Sequence, residues 1–301
     1  MSNALKIGII GLDTSHVTAF TQLLNDSNHQ YHVPGGKVVV AYPGGSPDFD
    51  LSISRVQGFT DKLRDEYGVK IVDSIEAVAE ESDAILLESV DGRVHLEQFS
   101  KIASYGKPVF IDKPLAVSSA DAKQIAALAK QHNVAVMSSS ALRYAEGLTS
   151  VLAQNEGGDI IGVDTFGPMA IVPTQPGFFW YGIHSVEMAF AVLGKDCVDV
   201  TVTTNETHDL IVGRWADGRI ATVRGNRAGN NKFGAVVHRQ KASQFVDVYA
   251  NPKPYYASLL ERIVPMFKGE APAIDFEETL QVIRFIEAAN ESRETGKTVQ
   301  L

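Results

Sequence analysis

At 301 residues the chain is longer than one hydrophobic core usually serves, so two domains are expected, and 45% hydrophobic with 21% charged residues marks it as globular rather than disordered. A net charge of -9, with no stripe of Lys and Arg interleaved with aromatics, argues against nucleic acid as a partner; no apolar run reaches the roughly 18–20 residues that span a bilayer. No basic region followed by a hydrophobic one opens the chain, and the single cysteine, Cys197, has no disulfide partner and no neighbour at zinc-ligand spacing, so a reducing, cytoplasmic setting is predicted.

Met1–Ala4 precede the first apolar run and enter no functional argument. Lys6–Gly11 (Lys-Ile-Gly-Ile-Ile-Gly) is a short apolar run closed by glycine, the pattern of a buried parallel strand meeting a tight turn. Val17, Phe20, Leu23 and Leu24 then recur at helical spacing, and Lys37–Ala41 is a second buried-strand candidate that completes a βαβ unit. A helix near Gly58–Tyr67, whose cluster Asp61–Glu66 reads as a solvated face, leads to a strand at Ala84–Leu87 and a helix near Val94–Tyr105. A strand at Pro108–Ile111, a helix over Ala120–Gln131 and a strand at Val134–Met137 continue the alternation, which predicts a doubly wound parallel sheet. The pattern then changes to short alternating strands, at Ile160–Phe166, Val198–Thr204, Asp209–Trp215, Arg219–Arg224, Ala235–Arg239 and Phe245–Tyr249. Asp217-Gly218 is a two-residue hairpin signal within them. Cys197, ahead of Val198, Val200 and Val202, reads as a buried strand residue rather than a nucleophile. Asp275 and Glu278 resemble a capping box before a helix that carries Leu280, Ile283, Ile286 and Ala289 on one face and ends at Gly296. The predicted fold class is α/β: an N-terminal Rossmann doubly wound parallel sheet over residues 1–120, then a C-terminal α+β domain with a mostly antiparallel open sheet over 121–301, serving substrate binding and oligomerisation.

Lys113 falls at the carboxyl end of a predicted parallel strand, the edge of such sheets where ligands bind, and Pro114 restricts it to extended geometry. The run Phe110-Ile111-Asp112-Lys113-Pro114-Leu115 resembles the acidic-Lys-Pro motif of the Gfo/Idh/MocA oxidoreductases, which include glucose-fructose oxidoreductase and inositol dehydrogenase. Lys6–Gly11 fits that family's first strand, and His95 fits the histidine opening the helix after its third core strand. Arg143-Tyr144 and Gly182-Ile183-His184 with Glu187 follow in family order. The resemblance implies an NAD- or NADP-dependent enzyme that moves a hydride between nicotinamide and a carbinol carbon of a small polyhydroxylated substrate, a sugar or polyol. It implies a homodimer or homotetramer with the site in the cleft between the domains. It also implies that Lys113 contacts nicotinamide and substrate, and that His184 is the general acid/base with Arg143, Tyr144 and Trp180 around the substrate. A lysine so placed can stabilise developing charge on a substrate oxygen, and an imidazole can take the alcohol's proton; a solvated lysine and a structural histidine are the plain alternatives.

Departures from the family pattern are as informative. Trp180 stands four residues before the histidine, where the family usually has a supporting aspartate, and Phe178, Phe179, Trp180 and Tyr181 either wall a pocket, stack on a sugar or fill core space. The G-x-G-x-x-G frame reads Gly11, Asp13 and His16, so only its first glycine is kept; Asp13, Thr14 or Ser15 either caps the following helix or contacts a ligand. Tyr42-Pro43-Gly44-Gly45-Ser46 replaces the acidic residue that binds the adenosine ribose, forming either an anion nest for the 2'-phosphate of NADP or an ordinary turn. The cofactor-binding candidates are Gly11, Asp13, Thr14, Ser15, Tyr42, Ser46, Asp112 and Lys113. No metal centre is predicted, since His29 with His32, and His184 with Glu187, each lack a third ligand. The altered glycine frame and Trp180 also suit a rival reading, a catalytically impaired family member that binds a ligand or regulates; non-redox chemistry such as elimination ranks last.

Overall fold

The first strand, β1 (Leu5–Ile10), runs through apolar surroundings with Ile7, Ile9 and Ile10 almost wholly buried, and five more strands pair around it. These are β2 (Gly36–Tyr42), β3 (Lys70–Ile71), β4 (Ala84–Leu87), β5 (Val109–Ile111) and β6 (Val136–Met137), all parallel, in the order β3-β2-β1-β4-β5-β6. That order reverses between β1 and β4, the topological switch point at which doubly wound sheets bind ligands. The connecting helices are α1 (His16–Asn25), α2 (Asp50–Tyr67), α3 (Ile75–Glu81), α4 (His95–Ile102) and α5 (Ser119–His132). Gly8 on β1 has no room for a side chain, because a Cβ there would sit 2.4 Å from Val78 Cγ1 on α3. The predicted helix near Gly58 begins earlier, at Asp50; its first turn exposes Leu51 and Ile53, so apolar periodicity does not announce it. Around Asp61–Glu66 the charges form local pairs on the exposed helix face, as expected.

The computed structural model describes residues 4–301; Met1–Asn3 lie outside them. The chain forms two compact units. One comprises the segment ending at Ala116, Ala120–Ser139 and Tyr256–Phe276; the other comprises Val117–Ser119, Ser140–Tyr255 and Glu277–Leu301. The boundary expected at residue 120 is therefore corrected: β6 pairs with β5 and keeps its segment in the parallel sheet, and a late segment of chain returns to the first unit.

The second unit contains α6 (Glu146–Leu152), β7 (Ile160–Pro168), α7 (Gly182–Leu193), β8 (Cys197–Thr204), β9 (His208–Trp215), β10 (Ile220–Asn226), β11 (Gly234–Arg239) and β12 (Ser243–Asp247). Three elements follow, α8 (Tyr255–Phe267), α9 (Phe276–Thr295) and β13 (Val299–Gln300); all of α8 after its first residue belongs to the first unit. The sheet order is β12-β11-β7-β10-β9-β8-β13, antiparallel except for β7 with β10. Gly218, at φ +91°, makes the β9–β10 hairpin that Asp217-Gly218 foretells. One face of this sheet is covered by α7, buried almost all round, and by the apolar face of α9; Phe190 meets both Trp215 and Phe285 there edge to face. Cys197 lies in this core, as its strand pattern predicts. Glu278, expected to close a capping box, instead places Oε1 2.7 Å from Arg143 Nη2. Among the described residues no helix is long and apolar enough to cross a membrane.

Candidate active site

The carboxyl edge of the parallel sheet gathers most of the predicted cofactor residues. Gly11 ends β1 at φ +89°, and a Cβ there would meet Ser89 N at 2.5 Å, so the turn is built against the loop after β4 and admits no side chain. Asp13 does not cap α1. Its carboxylate is 1% exposed, accepting a hydrogen bond from Ser52 Oγ at 2.5 Å and another from Val90 N at 2.9 Å, which ties the first turn to α2 and to the loop after β4. Burial pushes the Asp13 carboxyl above its usual range, against these hydrogen bonds and the charge of Arg55. Ser15 occupies the N-cap position without a side-chain cap, while Thr14 Oγ1 lies 3.4 Å from His16 N. Ser46 gives its N–H to Ser52 Oγ, and Gly44 and Gly45 both take positive φ. Tyr42, Gly44, Gly45 and Ser46 line a cavity of about 130 Å³ together with Asp13, Ser89, Gln98 and Lys101.

A second cluster lies where β4 and β5 end. Glu88 follows the last residue of β4, Asp112 and Lys113 follow β5, and His16 opens α1. His16 Nδ1 is 3.1 Å from Asp112 Oδ2 and 3.6 Å from Glu88 Oε2. Burial opposes the imidazolium, but the two carboxylates outweigh it and raise His16 to about 9. Burial lifts Glu88 to about 7. For Asp112 burial is overcome by His16 and Lys113, whose charges hold it at about 2. Lys113 is 6% exposed, and burial lowers its pKa against the pull of Asp112 and Glu88. The Lys113–Pro114 peptide is cis, and the loop that carries it is pinned by His95, whose ring nitrogens lie 2.9 Å from Pro114 O and 2.7 Å from Ser89 O. His95 thus fixes two loops of the site and is itself fully buried.

His184 lies in the first turn of α7 in the second unit. Its Nδ1 is 2.8 Å from Ser140 Oγ, and its ring meets Tyr181 and Phe233 edge to face. Ser140 Oγ also accepts from Leu142 N, and the Ser140 backbone N–H reaches the Glu187 carboxylate. The Ser140 hydroxyl is thus the polar group that meets His184 Nδ1 in a chain with Trp180 where the family usually has an aspartate, and nothing in the spacing of residues 140 and 184 signals it. Glu187 does not serve His184: its Oε2 is 2.8 Å from Arg143 Nε, within a buried Glu187–Arg143–Glu278 network that holds the Arg143-Tyr144 turn to α7 and α9. Trp180 is 8% exposed, and with Phe178 and Phe179 it fills core space more than it walls an open pocket.

The sequence profile described as "Oxidoreductase family, NAD-binding Rossmann fold" matches residues 5–140. Those residues, a little under half of the chain, are thus similar to the NAD-binding Rossmann part of the Gfo/Idh/MocA oxidoreductases. Across the whole chain, the fold is similar to that of GenD2 from gentamicin A biosynthesis, solved in complex with NAD, at TM-score 0.79 and 17% identity, covering 100% of this chain and 97% of that one. It is equally similar to the myo-inositol dehydrogenase of Lactobacillus casei, solved with NAD(H) and myo-inositol, at TM-score 0.79 and 16% identity over 99% and 97% of the two chains. A protein of Streptococcus pneumoniae described as an uncharacterized oxidoreductase is 27% identical over 88 residues, 29% of this chain; the match spans only 24% of that relative's length. In the cavity beside β2, two glycines leave room and Ser46, Gln98 and Lys101 offer polar groups, a lining whose chemistry is compatible with a polar ligand such as a nucleotide. The pyrophosphate turn keeps Gly11 but carries the buried Asp13 carboxylate in place of a glycine.

Proposed function

We propose that the protein is an NAD(P)-dependent oxidoreductase acting on a carbinol carbon of a small sugar or polyol. The reading rests most on Lys113, a buried lysine at the carboxyl edge of a central parallel strand, beside Asp112 and Glu88, in a chain whose first half matches an NAD-binding family. Gly11, Thr14, Ser15, Tyr42, Gly44, Ser46, Asp112 and Lys113 would hold the dinucleotide, and NAD or NADP would supply the hydride acceptor or donor. Lys113 binds the reacting hydroxyl and stabilises charge as it develops on the oxygen. With Nδ1 facing the Ser140 hydroxyl, His184 exchanges the alcohol's proton at Nε2. Arg143 acts by positioning Tyr144 and α7 rather than by touching substrate, and Trp180 stiffens the turn before His184. The assembly is a homodimer or homotetramer.

Asp13 favours a second reading, a family-derived binding or regulatory protein, because its fixed carboxylate lies in the turn that cradles pyrophosphate. Titration with NADH and NADPH, read by nicotinamide fluorescence, separates the two: saturable binding of either supports the enzyme, and no binding of both leaves the binding protein. A panel of inositols and aldoses with NAD and NADP, followed by absorbance of the reduced nicotinamide, then tests turnover. Activity unchanged in Lys113→Ala and His184→Ala would overturn the roles assigned to them.

A further inference from the structure

The oxidoreductase reading uses Asp112 beside the dinucleotide but gives no role to the convergence of His16 and Glu88 on it. One ligand atom from each, His16 Nδ1 and a carboxylate oxygen of Glu88 and Asp112, lie within 4.8 Å of one another, the only such group of three among the described residues. Glu88 is 0% exposed, and its carboxylate oxygens, His16 Nδ1 and Asp112 Oδ2 face one another as ion pairs without making a well-aligned hydrogen bond to any group. Buried polar atoms are ordinarily satisfied, and leaving one unsatisfied costs about 1–3 kcal/mol, more for a charge. Four such atoms gathered this closely can share one partner that accepts lone pairs once it displaces the His16 proton.

The three residues come from the three chain segments that meet at the switch point of the sheet, and the imidazole is held by ring contacts with Phe20 at 5.6 Å and Tyr256 at 4.9 Å. The 3.1 Å from Nδ1 to Asp112 Oδ2 falls within the edges, about 3.0–3.4 Å, of a coordination polyhedron with metal–ligand bonds of about 2.1 Å, and the 3.6 Å to Glu88 Oε2 lies just beyond them. We propose that His16, Glu88 and Asp112 form a binding site for a divalent first-row transition-metal ion. One imidazole nitrogen with two carboxylates selects ions such as Zn2+, Mn2+ or Co2+ over Mg2+ and Ca2+, which prefer all-oxygen sets. Two carboxylates balance the ion's charge. Three protein ligands leave coordination positions for water or a hydroxyl-bearing ligand.

The test uses the full chain stripped with chelator and dialysed. Titration with Mn2+, followed by loss of the free-ion paramagnetic resonance signal, should show one tight site per chain, and Co2+ should give visible absorption bands of a nitrogen–oxygen ligand set. Glu88→Gln, nearly isosteric, should weaken binding at least tenfold, and His16→Ala should also change the cobalt spectrum. Metal should raise the melting temperature of the wild type more than that of Glu88→Gln, which keeps the result readable for a less stable variant. No uptake by the wild type would overturn the proposal and identify a metal-free set closed by the His16 proton. Equal affinities in the wild type, Glu88→Gln and His16→Ala would overturn it by placing the ion elsewhere. Neither readout involves nicotinamide, so its outcome is independent of the oxidoreductase reading.

Discussion

Replacing Arg143 by Met removes the cation that bridges two carboxylates. In the wild type Nε is 2.8 Å from Glu187 Oε2 and Nη2 is 2.7 Å from Glu278 Oε1, and Arg143 and Glu187 are both buried. The methionine fills much of the volume, but two acids are left facing each other without a counter-charge. Breaking a buried pair from one side costs about 3–5 kcal/mol, which for a unit of this size lowers the melting temperature by on the order of 10 °C. Burial already holds the Glu187 carboxyl above its usual range, with Arg143 opposing the rise; without Arg143 it climbs further. An acid whose folded-state pKa is raised contributes stability that is present below its unfolded value and lost as pH rises through the folded one, so the deficit of Arg143→Met should widen from about pH 5 to about pH 8. Glu187→Gln should cost less, about 1.5–3 kcal/mol for a hydrogen bond to a charged group, and adding it to Arg143→Met should restore part of the loss. Melting curves by circular dichroism at the two pH values test this. A melting temperature within about 2 °C of wild type, or a deficit that narrows as pH rises, would refute the reasoning.

Gly11→Ala should destabilise the first unit by at least about 2 kcal/mol, because φ is +89° and the new Cβ would press on the Ser89 backbone; chemical denaturation measures it. Cys197, whose thiol burial pushes up to about 12, should resist iodoacetamide in the native protein near neutral pH and react fully in guanidinium, as read by mass spectrometry. Ser140→Ala should slow turnover by roughly two- to tenfold, the worth of one neutral hydrogen bond, and shift the pH profile of kcat/KM, whereas His184→Ala should cost roughly a hundredfold or more.

Much of the fold is legible because buried parallel strands leave a plain trace: Ala84–Leu87 and Val109–Ile111 are apolar without interruption, and each is buried on both faces. The two-residue strands Lys70–Ile71 and Val299–Gln300 leave none, since a pair of residues carries no period, and the return of 256–276 to the first unit depends on long-range packing. At the site, Lys113 is announced by its motif. Glu88 is absent from the sequence reading, although it is likewise a charge placed directly after an apolar strand, just as Asp112 follows Ile111; only the fold brings it to His16. Ser140 leaves no such mark, because a serine in a turn is common and its partner lies 44 residues away.

The central claim is the proposed hydride transfer between nicotinamide and a carbinol carbon, for which both Lys113 and His184 are required. Incubation of the protein with NAD or NADP and carbinol-deuterated inositols and aldoses, followed by mass spectrometry of the recovered dinucleotide, tests it directly. The account predicts one deuterium on the reduced nicotinamide with the wild type and none with Lys113→Ala or His184→Ala. A polyol that is bound or transformed while the nicotinamide stays unlabelled would contradict it.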